Sequence, residues 1–389
     1  MTDFSAQEPA LGYYYQIRLS LLLLLRAKDK TNPTIKIETL DDIVVDDINS
    51  LNLYQTKLHV KSVVDLTNAS PDFWKTIRVW SENISGKLLD VENTVFTLIT
   101  TARISENSFI KKFQEPVKRD NKDILKDMLD VTTSSSNLTN KSAYDAFKKL
   151  NEGQQLALID NICILDSGLS IDEALNGVKN ELRFSCSPGK VDSLVERLEG
   201  WWFQECIKIL QGINSDGISL KELSQKIYDI SDSFKEDNLP DDFADPLTIE
   251  ESELSTYEER IFIQQLKLVA VRSNLLRNAI SDFRRAFEQR SKWLREELAS
   301  LDEVEQYEKR LYDHWNNIFL ALKDDVDGFS EEQLKQAGLS FYKKFYIDTC
   351  PPIRIRSKFQ SEYLTRGSCH MLADIKKIGW HPDFQNRIS

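Results

Sequence analysis

Gln55, Thr56 and Lys57 lie in a β-forming run from Leu53 to Val60, and the chemistry open to them depends on which share a face. Strand side chains alternate, so Gln55 and Lys57 point the same way and Thr56 points away. A second β-like run, Asp42-Ile43-Val44-Val45, precedes it, and the intervening Asp46 to Asn52 is rich in Asp, Asn and Ser. Such a stretch between two runs reads as a hairpin. With its turn about Ile48-Asn49, Asp42 falls roughly opposite Gln55. Glu38 closes the run before it, Thr34 to Glu38, and is near enough to join the group. A carboxylate, an amide oxygen and an ammonium then meet on one rim of a sheet. A hard cation such as Mg2+ keeps several waters, so one or two carboxylates with an amide or carbonyl oxygen suffice to hold it. A lysine beside it can orient or deprotonate an attacking water and offset charge on a pentacovalent phosphate, while the ion lowers that water's pKa.

These side chains need a scaffold. Gly12 to Lys28 reads as a helix, with Tyr14, Ile17 and Leu21 at helical spacing, and Asn32-Pro33 stops it. The three β-like runs follow. Ser70-Pro71-Asp72 is a helix start, since Ser can cap and Pro suits the first turn. The helix it opens carries an apolar face of Phe73, Trp74, Ile77 and Trp80. Asn93 to Thr101 alternates and is β-branched, a fourth strand. The order helix, three strands, helix, strand predicts an α/β layer with a covered sheet. Beyond Lys111 the pattern turns helical: Lys122 to Val131, Lys141 to Asp166, Ile171 to Leu182 and Lys190 to Leu210. A boundary is expected at Gly212 to Gly217, then a short helix (Leu220 to Ser231) and a long helical stretch from Thr256 to about Asp324, broken near Leu298 to Glu303. The expected domains are 1–115, an α/β core; 116–212, a helical extension of it; and 213–389, a C-terminal helical module.

Composition narrows the class. Thirteen Gly and ten Pro in 389 residues are too few for a loop-rich all-β chain. Five cysteines, none in a CxxC pair, argue against a disulfide framework and for a reducing, cytoplasmic setting. Leu21 to Leu25 is bracketed by Arg18 and Arg26, far short of the ~20 apolar residues of a bilayer span. The net charge of -12 opposes phosphate binding in general, yet twelve acids against Lys235 alone fall between Asp229 and Glu259. The remainder is near neutral and can hold local basic patches. The acidic stretch itself reads as a solvated loop and helix start, with docking of a basic partner or shielding of a groove as the sharper alternative.

Gly12-Tyr13-Tyr14-Tyr15-Gln16, Glu38 with Asp41-Asp42-Ile43, Gln55-Thr56-Lys57 with His59, and Asp65-Leu66-Thr67 before Ser70-Pro71-Asp72-Phe73-Trp74-Lys75-Thr76 occur in that order. Together they resemble the double-stranded DNA endonuclease domain of CD-NTase-associated (CBASS) effectors, a restriction-endonuclease-like domain of the PD-(D/E)XK superfamily. The resemblance covers residues 10–105 well and continues more weakly to about Leu210. It implies that Asp42 is the metal-binding aspartate, that Gln55 fills the place more often taken by Glu or Asp, that Lys57 is catalytic and that Gln16 supports the site. It also implies Mg2+, with Mn2+ as a substitute. The site has one carboxylate fewer than the common form, which Glu38 or Asp41 could make good.

A second resemblance lies in Asn238-Leu239-Pro240-Asp241-Asp242-Phe243, Arg366 to Asp374 (Arg-Gly-Ser-Cys-His-Met-Leu-Ala-Asp) and Gly379-Trp380-His381-Pro382-Asp383-Phe384. These look like the C-terminal module of ABC-three-component systems, which pair an SMC/Rad50-like ATPase with a small middle component and an effector. With the nuclease at its front the chain is similar to the nuclease subunit of Lamassu anti-phage and anti-plasmid systems. That implies a DNA endonuclease held inactive by its partners and freed or clustered, as a homo-oligomer, when the ATPase senses foreign DNA. The alternative is a non-catalytic DNA-binding or scaffold subunit. Nothing matches GxxxxGK[ST], so ATP use belongs to another chain. Cys350, Cys369, His370 and His381 lack zinc-finger spacing and read as structural. Trp201-Trp202-Phe203 reads as a core or interface anchor. Arg284, Arg285, Arg290, Lys292 and Arg295 form a stripe that Glu288, Glu296 and Glu297 can neutralise.

Overall fold

The computed structural model describes residues 7–48, 50–59, 64–115, 119–348 and 350–388. The expected turn residue Asn49 and the strand end Val60 lie outside them. The chain divides into two compact units, Met1–Ser231 and Asp232–Ser389.

The first unit opens with α1 (Gln7–Arg26), whose Leu21, Leu22 and Leu24 are buried. No helix among the described residues is long and apolar enough to cross a membrane. Then come β1 (Thr34–Ile37), β2 (Ile43–Asp47), β3 (Ser50–Lys57), the short β4 (Asp65–Leu66), α2 (Pro71–Ser85), β5 (Thr94–Thr100) and the short β6 (Arg103–Ile104). The expected helix–three strands–helix–strand order is present, with the minor β4/β6 pair added. Ser70 precedes α2 without capping it, because its hydroxyl instead accepts from the Thr67 amide at 2.7 Å. Next are α3 (Asn121–Ser134), α4 (Lys141–Lys149), α5 (Glu152–Asn161), β7 (Ile162–Leu165), α6 (Ile171–Leu182), α7 (Val191–Leu210), β8 (Ile218–Ser219) and α8 (Leu220–Asp232).

The main sheet is mixed, in the order β7-β5-β3-β2-β1-β8. β1, β2 and β3 run antiparallel, while β3/β5 and β5/β7 are parallel. Val44, Leu53, Phe96 and Ile162 lie in register across it and pack on Phe73, Trp74, Ile77 and Trp80 of α2. Helices α1, α6 and α7 pack together beside β1.

Two expectations need correction. Lys141 to Asp166 is not one helix. Asn151 forms a capping box that restarts the chain as α5, and Ile162-Cys163-Ile164-Leu165 leaves it to pair with β5. A short apolar run reads equally as buried helix or strand, and the open edge of β5 decides it. The boundary expected at 212/213 also shifts, since β8 joins β1 at the far edge of the sheet. Gly217 (φ +84°) makes this approach possible, because a Cβ there would stand 2.4 Å from the Ile35 carbonyl oxygen.

The second unit is helical: α9 (Glu251–Thr256), α10 (Ile261–Leu268), α11 (Ser273–Arg295), α12 (Leu301–Asp325), α13 (Glu331–Tyr342), a π-helical turn (Lys343–Asp348), α14 (Glu362–Asp374) and α15 (Phe384–Arg387). The expected long helical stretch is thus broken twice, before α11 and before α12. Nor is the acidic stretch a plain solvated loop. It lies along its own module: Glu253 pairs with Arg284 at 2.8 Å, Asp242 with Lys292 at 3.4 Å, Asp237 with Lys358 at 3.1 Å, and Glu251 with Arg277. The basic stripe of α11 is met in part by this segment, at Arg284 and Lys292, while Arg285 pairs with Asp282 at 2.6 Å, Arg290 with Glu308, and Lys292 also with Glu296 at 3.7 Å.

Candidate active site

The register Ile43↔Tyr54, continued by one residue, brings Asp42 beside Gln55 as the hairpin predicts. β2 ends its pairing at Ile43, so the Thr56 amide, one step further along β3, has no strand partner there. The Asp42 carboxylate takes that place. Its Oδ2 accepts from Thr56 N at 2.7 Å and from Thr56 Oγ1 at 2.9 Å. Thr56, read as facing away, is therefore what orients the aspartate, and Oδ1 is left for other partners.

Glu38, Asp42, Gln55 and Lys57 all line one cavity of about 330 Å³, together with Asp41, Lys75 and Arg78. Gln55 is only 6% exposed, and no side-chain hydrogen bond engages its amide among the described residues. Lys57 makes no ion pair among them. Glu38 sits at the turn between β1 and β2 with φ +50°, a left-handed conformation that costs a non-glycine residue about 1–3 kcal/mol. Partial burial raises its carboxyl pKa and Asp42 adds to this, while a hydrogen bond from Gln16 and the Lys57 charge pull it down. Gln16 of α1 is thus near enough to act on Glu38, though it does not line the cavity.

Asp41 behaves differently. It is buried, Trp80 Nε1 donates to its Oδ2 at 2.5 Å, and the Asp42 amide donates to its Oδ1 at 3.0 Å. Burial pushes its pKa up to about 7 against the pull of the indole. Both oxygens are committed, which leaves Glu38 as the freer of the two acids. Asn83 Nδ2 donates to the Leu40 carbonyl at 2.9 Å, so α2 holds this turn at two points.

Lys75 and Arg78 were not singled out from the sequence as site residues. Their signal was their spacing: three apart on α2, on the side away from its apolar face. His59 does not line the cavity; its Nε2 lies 2.9 Å from Asp72 Oδ2. Trp202 is a buried anchor whose Nε1 donates to the Ile17 carbonyl at 2.9 Å. Among the described residues no three His, Cys, Asp or Glu side chains cluster to hold a metal ion. Glu38, Asp41 and Asp42 line one cavity but do not form such a cluster.

Comparison with known proteins bears mainly on the other end of the chain. Residues 262–388 match a family described as C-terminal domain 7 of the ABC-three component (ABC-3C) systems. This links the helical module, at family level, to those systems. No curated protein matches the chain. Among solved structures it is similar to the Acinetobacter baumannii Cap4 SAVED/CARF-domain containing receptor, with TM-score 0.33 and 16% identity over 70% of this chain and 59% of that one. The same receptor with the cyclic trinucleotide 2'3'3'-cAAA gives TM-score 0.35 and 15% identity over 71% and 58%. The chain spans about three-fifths of the length of these receptors, and the likeness is weak.

Proposed function

We propose that the first unit is a metal-dependent DNA endonuclease and that the second binds the partners that hold it inactive. The observation that carries this is the convergence of Asp42, Gln55, Lys57 and Glu38 on one cavity. The residues suit a hard cation: Asp42 is fixed through one oxygen with the other spare, Gln55 offers an uncommitted amide oxygen, and Glu38 occupies a left-handed turn position on the same cavity. Mg2+ or Mn2+ bound there would supply Lewis acidity to the water and to the phosphate.

The chain's own residues do the rest. Thr56 keeps the Asp42 carboxylate in one orientation. Lys57 positions the attacking water, assists loss of its proton and offsets the negative charge that builds as water oxygen bonds to phosphorus and the ester oxygen leaves. The element order of the first unit supports a PD-(D/E)XK-type core, and the family match of the second supports an SMC-like ATPase and a small subunit as partners in a Lamassu-type defence system. Release from those partners, or self-association of the freed chain, would activate it.

The competing reading, a DNA-binding scaffold without catalysis, is favoured by the lack of a three-carboxylate cluster among the described residues. Incubating the purified chain at high concentration with plasmid and Mg2+ separates the two. Lys57→Ala should cut ~10²–10⁴-fold more slowly than wild type. Equal cleavage by both would remove Lys57 from the chemistry. A parallel Mn2+ titration should show a bound ion that Asp42→Asn abolishes; an unaltered isotherm would remove the metal site.

A further inference from the structure

One wall of the cavity has no role in the hydrolysis just described. It is built by Lys75, Arg78 and Val79 of α2. The helix cannot turn to present another face, because Phe73, Trp74, Ile77 and Trp80 are each buried to within 1% of full enclosure. Its angle to the metal-site turn is fixed as well, by the Trp80–Asp41 and Asn83–Leu40 hydrogen bonds. Lys75 is exposed and forms no ion pair among the described residues. Arg78 spends little of its capacity: Nη1 donates to Ser142 Oγ at 3.3 Å, and Nε stands 3.8 Å from Glu82 in a solvent-exposed pair. That Nε is buried and makes no hydrogen bond. A guanidinium has five N–H donors, and a surface pair of this length contributes little to stability. Two cations with spare donors, held on a fixed helix face and lining one cavity, fit an anion as their further partner.

We infer that Lys75 and Arg78 are a phosphate-binding wall that grips the nucleic-acid backbone beside the reacting ester, so that DNA binding is supplied by α2 and is separable from cleavage. This rests on the nuclease reading for its substrate, but it is tested without catalysis. Arg78 supplies a planar fork for a phosphate and Lys75 a mobile point charge. Because α2 also holds the turn carrying Asp42, a phosphate seated on the wall is held at a constant offset from the carboxylates.

The experiment uses the full chain, a fluorescent 30-base-pair DNA duplex and EDTA, with anisotropy followed over a KCl series. The Lys75→Ala/Arg78→Ala variant should bind at least about tenfold more weakly at low salt. Its plot of log K against log salt should be shallower by about 2, near 0.9 for each lost phosphate contact. A Lys75→Arg/Arg78→Lys variant, which keeps both charges, should retain the wild-type slope. A double-alanine variant with wild-type affinity and slope would overturn the inference, as would a wild-type chain that shows no binding at low salt. Duplex binding lost in the double variant, with no Mg2+-dependent cutting by wild type, would leave the wall standing and sink the nuclease reading instead.

Discussion

At the scale of single residues the site turns on what a neutral amide can do where an acid is expected. In the proposed site Gln55 offers an oxygen without charge, so a cation held there would depend on Asp42 and Glu38 for its attraction. Affinity at oxygen sites rises with the number of charged ligands. Gln55→Glu should therefore bind Mn2+ more tightly, by about tenfold, and work at lower Mg2+. Calorimetric titration checks this, and an unchanged affinity would place Gln55 outside the ligand set. Asp41 shows the reverse case. Its carboxylate was an equal candidate beside Glu38, but burial against the Trp80 indole makes it a support for the turn. Nothing in its immediate neighbours in the chain distinguishes it from Asp42; a hydrogen bond 39 residues away does.

Among the elements, α2 is central. It covers one face of the sheet with its apolar side, ties the β1–β2 turn down, and turns Lys75 and Arg78 to the cavity. Trp80→Phe removes the indole N–H together with the fused pyrrole ring, leaving Asp41 Oδ2 buried without its donor and a small cavity beside it. Leaving a buried acceptor unpaired costs about 1–3 kcal/mol, so the urea midpoint of the first unit should fall accordingly. A midpoint equal to wild type would mean that the indole bond does not hold the turn. The second unit has a counterpart in α11 and α14. Gly367 lets them touch, since a Cβ there would lie 2.1 Å from the Asp282 carbonyl oxygen. The glycine in the Arg366 to Asp374 motif is thus a packing requirement.

For the molecule as a whole, two units with separate cores divide the work proposed for them. The second should be sensitive to acid through His370. Burial, with a smaller contribution from the Arg366 charge, pushes its pKa down from 6.5 to about 3. The folded chain keeps the imidazole neutral while the unfolded chain takes up a proton below 6.5. Its contribution to stability is therefore complete above pH 6.5 and is lost as the pH falls from 6.5 towards 3, at up to ~1.4 kcal/mol per pH unit. His370→Phe should flatten this part of the stability profile, measured as urea midpoints of the full chain at pH 7 and pH 5. Parallel profiles for the two proteins would exclude the histidine as the cause. The proposed nuclease, on an acidic chain, also calls for self-association: cleavage should rise more steeply than linearly with protein concentration. A linear dose response by a strictly monomeric protein would refute that.

Alternation along β3 was legible in the residues themselves, and with it the shared face of Gln55 and Lys57. So was the opposition of Asp42 to Gln55, because a hairpin's register follows from its loop and its apolar pattern. The amphipathic helices were legible for the same reason: neighbours two to four residues apart determine them. Sheet edges and burial were not. Ile162 to Leu165 became a strand because β5 had an open side, and Ile218 joined β1 across a glycine whose value lies in a contact far along the chain. The orienting role of Thr56, the withdrawal of Asp41 and the basic wall of α2 likewise required partners that only the folded chain brings within reach. Local periodicity sets which way a side chain points, and long-range packing decides what it finds there.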